Sequence, residues 1–129
     1  MAGGIEIRAA HFPGRAPIDA YGNGGFRFAE MSHRGSILCL PSGIHGWSVE
    51  GFHDLKEADL SRLFEEAAEF DLLLVGTGEH LVPMPAEFRK RFREAGVAVE
   101  TMATGAAVRT YNVLLAEDRT VAAALIAVD

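Results

Sequence analysis

Two short stretches carry residue types at spacings that could do chemistry. Gly76-Thr77-Gly78 follows the apolar run Leu72-Leu73-Leu74-Val75, and Glu100 follows a second short apolar segment. A glycine turn after a buried strand, with an acid after the next strand, is the arrangement that holds a dinucleotide. Three features weigh against that chemistry. Leu81 stands where the third glycine of G-x-G-x-x-G is needed. Pro83 and Pro85 delay the helix whose N-terminus would sit on the pyrophosphate. The chain also has one such unit where the dinucleotide fold needs more. A tight turn of small residues is the simpler reading. The second stretch runs from Thr104-Gly105 to Asn112. A small-residue helix N-terminus offers free backbone N–H groups, and Arg109 and Asn112, three apart, share a helix edge. If the two turns are neighbours, Gly76, Thr77, Gly78, Thr104, Gly105, Arg109 and Asn112 bound a crevice at the strand C-termini, where α/β folds usually take ligands. The competing reading is that Thr110 and Asn112 satisfy neighbouring backbone groups.

Other chemistries find less support. His11, His33, His45, His53 and His80 include no H-x-x-x-H pair, and none lies close to Cys39 at metal-ligand spacing. His53-Asp54 and Glu79-His80 are chain neighbours, which seldom converge on one centre. No G-x-S-x-G supplies a serine nucleophile. Cys39 lies in an apolar run and reads as a small core residue. No metal and no cofactor are expected. Arg89, Lys90, Arg91 and Arg93 cluster on one helix. They could meet phosphates or an acidic partner, or form a solvated face near a helix C-terminus. Trp47, with Phe26, Phe28 and Phe52 near it in sequence, reads as core on a β-surface, but Trp and Arg also dominate interface hot spots. Phe26, Trp47, Arg89, Lys90 and Arg93 are therefore the candidates for partner contact.

The elements that must position these residues change character midway. Residues 1–17 carry glycine and proline and read as an extended or mobile lead-in. Residues 18–129 read as a single domain. Ile18–Tyr21 predicts a strand, Gly22-Asn23-Gly24-Gly25 a hairpin turn, and Phe26, Phe28 and Glu30 a half-buried strand. Ser32–Gly35 predicts the next turn. Ile37–Leu40, ended by Pro41, and Ile44–Val49 predict two further strands, so the first half is β-rich and antiparallel. In the second half Leu60, Leu63, Phe64 and Ala67 mark one helix face, with Asp54 and Glu57 resembling its capping box. Leu72–Val75 is too uniformly apolar for a wet face and predicts a parallel strand covered on both sides. Pro85 at N1 and Gly96 at C′ bracket a helix with Phe88, Phe92 and Ala95 buried. Val97 and Val99 predict a short strand, Thr104 caps a helix presenting Ala107, Thr110, Tyr111, Leu114 and Leu115, and Val121–Val128 closes the sheet. This alternation specifies an α/β layered fold.

The chain of 129 residues is 49% hydrophobic, enough to bury one core without staples. Its 12 Lys+Arg stand against 18 Asp+Glu, a formal net charge of -6. That balance disfavours nucleic acid as a partner. A single cysteine excludes an internal disulfide and fits a reducing compartment. The N-terminus has no h-region, and the longest apolar run, Val121–Val128, is far short of the roughly 20 residues of a membrane helix. A soluble cytoplasmic protein is expected, meeting a membrane at most peripherally.

The segments YGNGGFRF, SILCLPSG followed by Trp47, LLLVGTG and GVAVETMATGAAVRTYNVLLAEDRTVAAALI resemble a small α/β domain-of-unknown-function family. It includes the mitochondrial complex I (NADH dehydrogenase) assembly factor three and the adipogenesis-associated protein. The resemblance runs from about Ile18 to the end and is strongest from Leu72. It implies a mixed central sheet, with helices on one side and a β-layer formed largely by the N-terminal half on the other. It also implies no established enzyme activity. Its mitochondrial member binds partners at the inner membrane, and bacterial genes of the family often neighbour protein-export genes. The leading expectation is thus a non-catalytic binding protein, an assembly factor for a respiratory or other membrane complex with respiratory or export-complex subunits as partners. A small-molecule or anion binder using the crevice, or an unknown enzyme there, is the alternative. A homo-oligomer paired through an exposed β-edge is a third.

Overall fold

A computed structural model of the chain describes the backbone of Glu6–Ile7 and residues 10–129 in full. The parts of the expected lead-in at residues 1–5, 8 and 9 lie outside the described residues. The strands are β1 Glu6–Ile7, β2 His11–Phe12, β3 Ile18–Gly22, β4 Gly25–Phe28, β5 Met31–Arg34, β6 Ser36–Leu40, β7 Gly43–Trp47, β8 Leu72–Gly76, β9 Ala98–Met102 and β10 Val121–Leu125. The helices are α1 Ser61–Glu65, α2 Ala86–Glu94 and α3 Thr104–Ala116, with short 3-10 turns on either side of α1.

A six-stranded sheet in the order β2-β7-β6-β10-β8-β9 forms the centre. Strands β10, β8 and β9 run parallel, while β6 and β7 pair antiparallel beside them. The uniform apolarity of β8 now has its reason. Leu73 and Val75 face a core cluster that includes Phe88, Phe92 and Leu63, while Leu74 faces Tyr111, Val108 and Ile37. Both faces are covered, so neither can be polar. On the second face the small sheet, in the order β1-β5-β4-β3, forms the β-layer and places Phe26 and Phe28 in the core. The mixed sheet and the β-layer agree with expectation. Helix α3 is the addition, for it shares the β-layer's face, packed on β8 and β10, while α1 and α2 cover the opposite one. On that face Ala123 of β10 leaves room for the approach.

Several local elements differ from what the sequence predicts. The expected turn at Ser32–Gly35 is instead strand β5 through Arg34, because the hairpin turns earlier, at Ala29 and Glu30, with φ of 48° and 63°. Glu30 is therefore not a strand residue. Two L-residues in the left-handed region cost about 1–3 kcal/mol each, offset by burial of Phe26 and Phe28 on the paired strands. At Asn23-Gly24 the turn forms as the sequence predicts, with φ of 54° and 79°. The capping box shifts from Asp54 and Glu57 to Lys56 and Asp59, whose carboxylate accepts the Lys56 N–H at 2.8 Å. Pro85 precedes α2 as its cap rather than opening it, and Thr104 is the first residue of α3 rather than its cap.

Candidate functional site

The two turns singled out by sequence do meet, at the carboxyl ends of β8, β9 and β10. Thr104 is fully buried, and its Oγ1 donates to the Ile126 carbonyl at 2.7 Å and accepts the Gly78 N–H at 3.0 Å. The Thr104 N–H donates to the Gly78 carbonyl at 2.8 Å, and the Thr77 N–H to that of Met102 at 2.9 Å. Thr77 Oγ1 donates to the His80 carbonyl at 2.6 Å and accepts the Val82 N–H at 2.9 Å, fixing the loop that leads to α2. Gly76 is tight for a steric reason, since a Cβ there would lie 2.9 Å from Thr104 Cα. The polar groups of this junction thus point at one another.

The other members of the predicted crevice lie further along α3. Gly105 sits against the hydroxyl end of Tyr21, which an added Cβ would overlap. The Asn112 amide pairs with both backbone groups of Ile18, accepting its N–H at 2.9 Å and donating to its carbonyl at 2.8 Å. That side chain closes the outer edge of β3 as a one-residue strand would. Arg109 is exposed and takes no part in the junction.

The partner candidates divide by burial. Phe26 and Trp47 are 3% and 8% exposed, and the indole N–H of Trp47 donates to the Asp59 carbonyl at 2.8 Å. Arg89, Lys90 and Arg93 remain at the surface on α2, the first of them half-buried. Arg89 donates to the Val99 carbonyl at 3.1 Å, at the outer edge of β9. Lys90 approaches Glu94 at 4.0 Å, and Arg91 pairs with Glu57 while lying over the Phe64 ring. Arg93 has no ion pair or hydrogen bond to a described residue.

On the far side of the Thr77-Gly78 turn lies an open cavity of about 880 Å³, floored by Trp47, Val49, Phe52 and Ile126 and rimmed by Glu50, His53, Glu79 and His80. Among the described residues no group of three or more His, Cys, Asp or Glu is placed to hold a metal. Burial pushes the Cys39 thiol up to about 12, against a hydrogen bond with Tyr111 that lowers it, so the thiolate is not available for nucleophilic work.

One polar chain escapes sequence reading. Strand β2 pairs His11 with His45, and their Nδ1 atoms lie 3.3 Å apart. Ser42 Oγ donates to Glu66 Oε2 at 2.7 Å and is 2.9 Å from His45 Nε2. A serine with its proton on the carboxylate accepts from His45, which leaves the His45 Nδ1 to accept from His11. Burial lowers the His45 pKa, as do the charges of Arg62 and His11, against the opposing pull of Glu66. Ser42 and His45 are three residues apart, but His11 and Glu66 come from distant parts of the chain, and no motif in the sequence announces the group.

Comparison with known proteins places the chain. A family model for a protein of unknown function (DUF498/DUF598) matches residues 18–126. The chain belongs to this family. It is 42% identical to an uncharacterized protein of Rhodobacter capsulatus, over 92% of this chain and 90% of that one. It is 30% identical to the mouse NADH dehydrogenase (ubiquinone) 1 alpha subcomplex assembly factor 3, over 95% of this chain and 66% of the mouse protein. The human assembly factor is likewise 30% identical, and the chain spans 59% of its length. Among solved structures, an outer membrane protein from Bartonella henselae superposes with a TM-score of 0.88 at 60% identity, covering 92% of this chain and all of that one. A Bordetella pertussis protein with an Mth938-like domain reaches 0.75 at 27% identity, over 93% of this chain and 92% of that one. No helix among the described residues is long and apolar enough to cross a membrane.

Proposed function

We propose that this chain is a binding protein without catalytic chemistry of its own, acting in the assembly of a respiratory or other membrane complex. The observation that carries the reading is its kinship with the complex I assembly factors, which extends over 95% of the chain in the mouse case. The state of the polar candidates supports it. Thr77, Thr104 and Asn112 use their side chains on backbone partners, so they are poorly placed to act on a substrate. Contact with partners falls to Arg89, Lys90 and Arg93 rather than to the buried Phe26 and Trp47. In this reading the protein works from the cytoplasm and meets a membrane peripherally, through subunits of a respiratory or export complex.

Cross-linked affinity capture of the tagged protein from its host, read by mass spectrometry, tests this. Enrichment of respiratory or export subunits is expected. A preparation holding only the bait would sink the assembly reading.

The cavity beside Trp47 favours one second reading, a small-molecule site. Its volume of about 880 Å³ is within the range of ligand pockets, and its apolar floor with a polar rim is their usual build. A ligand specific to the native state must raise the melting temperature. Thermal-shift screening of phosphates, nucleotides and carboxylates that leaves Tm unmoved would dismiss it.

A further inference from the structure

Strand β9 ends the six-stranded sheet, and among the described residues no strand covers its outer side. Its parallel pairing with β8 fixes which groups point outward. Ala98 donates inward to the Asp71 carbonyl, and Met102 accepts inward from the Thr77 N–H. Val99 and Thr101, between them, turn their main-chain groups away from the sheet. The Val99 carbonyl receives the Arg89 guanidinium at 3.1 Å. Alongside lies a groove of about 340 Å³, lined by Arg89, Arg93, Gly96, Val97, Ala98 and Val99. Val97, Ala98 and Val99 give it an apolar side, and Arg89 and Arg93 line the other.

The local charges leave those two cations available. Neither forms an ion pair among the described residues: Glu94 lies 4.0 Å from Lys90 and Glu57 pairs with Arg91, while Glu87 of α2 stands exposed. Glu100 is the acid on β9, but alternation puts it on the face opposite Val99, away from α2. Arg89 and Arg93 are one helical turn apart, about 6 Å along the axis. Side chains at i and i+2 on one face of a strand are about 6.6 Å apart. The two spacings match.

We propose that the outer edge of β9 receives an extended segment of a partner protein with acidic side chains at alternate positions. The segment adds as a seventh strand and sets two carboxylates on Arg89 and Arg93. The proposal rests on the reading of the chain as a partner-binding protein, and names its surface and the chemistry of its partner. Backbone hydrogen bonds to Val99 and Thr101 supply affinity, and the arginines supply the choice of side chain and the register. A second copy fits the edge poorly. Antiparallel pairing of two β9 edges on one continuous sheet would bring Arg89 and Arg93 against their own copies and offer Val99 and Thr101 where acids are wanted.

The test uses the full chain and an acetylated, amidated Thr-Glu-Thr-Glu-Thr-Glu-Thr peptide, with the Thr-Lys version and a version carrying its three glutamates in a block as controls. Amide exchange and chemical shifts at Val99 and Thr101 are read by NMR. Slowed exchange at those two amides with the alternating acidic peptide is expected, with affinity about tenfold weaker or more in Arg93→Gln, an exposed position where folding is not at risk. Unchanged Val99 and Thr101 amides at millimolar peptide would overturn the proposal, as would equal binding of the lysine peptide or indifference to Arg93→Gln. A doubled mass in light scattering with both amides already protected would assign the edge to a second copy instead. Host capture separates this proposal from the assembly reading. Partners retained in full by Arg93→Gln would overturn the edge while assembly stands. Peptide binding at β9 with no partner captured would remove the assembly role and leave the edge site in place.

Discussion

Sequence singles out two polar regions, and the fold treats them in opposite ways. At the Thr77–Thr104 junction every named hydroxyl is turned inward onto backbone, and Thr104 is closed to solvent. At the β9 edge the cations stand outside, and one of them lies on a strand carbonyl that a strand could take instead. Both regions lie beside parallel strands, and both carry residues that bind ligands in other proteins. What separates them is whether the groups have partners already. Small residues with satisfied hydroxyls join strand ends together, whereas at the open edge Arg89 gives one bond to the Val99 carbonyl and Arg93 has no partner among the described residues.

The largest effect is expected at the junction. Thr104→Val keeps the shape but removes the hydroxyl, leaving the Gly78 N–H and the Ile126 carbonyl without their partner. Each such group costs about 1–3 kcal/mol when water cannot replace it. A loss of about 2–4 kcal/mol is expected in urea unfolding, the Gly78 side being partly wet. A change below about 0.5 kcal/mol would mean that the junction does not hold the strand ends, and the contrast would fail.

A paired glycine test sharpens the same point. Gly76→Ala drives a Cβ into backbone and side chain of Thr104 and into Leu125, none of which can leave, so about 1–3 kcal/mol of overpacking is expected. Gly105→Ala meets only the end of Tyr21, a side chain 42% exposed and free to swing. Its helix gains up to about 1 kcal/mol from alanine. The melting temperature should fall for the first and stay level or rise for the second. Equal losses would mean that the two glycines are held alike.

These cases show how far the sequence was legible. The apolar run at β8 and the Asn23-Gly24 turn announce themselves locally, because periodicity and positive φ are local matters. The two small-residue turns stand out in the sequence as well, though only the fold shows that they are neighbours. The sequence did not say that Thr104 would bond into the other turn, since a hydroxyl's partner depends on its depth and direction. The Ala29–Glu30 turn was missed because neither residue favours positive φ, and tertiary pairing of β4 with β5 overrides that preference. The His11–His45 contact hangs on a two-residue strand too short to leave a periodic signal.

Acid should tell the junction from the sheet's other edge. The junction is built from threonine hydroxyls and backbone, which do not titrate, whereas β2 meets β7 through His11 and His45. The His45 pKa is lowered in the fold, so the unfolded chain binds the proton more readily. Stability from this group is therefore complete above the ordinary histidine value of about 6.5 and falls as pH drops below it, with at most about one proton taken up on unfolding. Protection of the Gly46 amide, which donates to the Ala10 carbonyl at 3.1 Å, should decline between pH 7.5 and 5.5 after correction for intrinsic exchange. The Gly78 and Thr104 amides should hold theirs. Replacing His45 by Gln should remove the decline, and a decline that persists would clear the histidines of responsibility.

The smallest stability effects belong to the β9 edge. Arg93 is exposed and unpaired among the described residues, so Arg93→Gln should leave Tm nearly unchanged, within about 0.5 kcal/mol. Arg89→Gln gives up a bond to a carbonyl at the sheet's rim. Water can replace part of that bond, so the loss should stay below about 1 kcal/mol. A urea series on both variants beside Thr104→Val checks the order. If Arg89→Gln cost as much as Thr104→Val, its guanidinium would be holding the edge shut as part of the fold, and β9 would be a closed edge like that of β3. A small cost means the arginine rests on the strand without being needed there, as an edge kept for another chain requires.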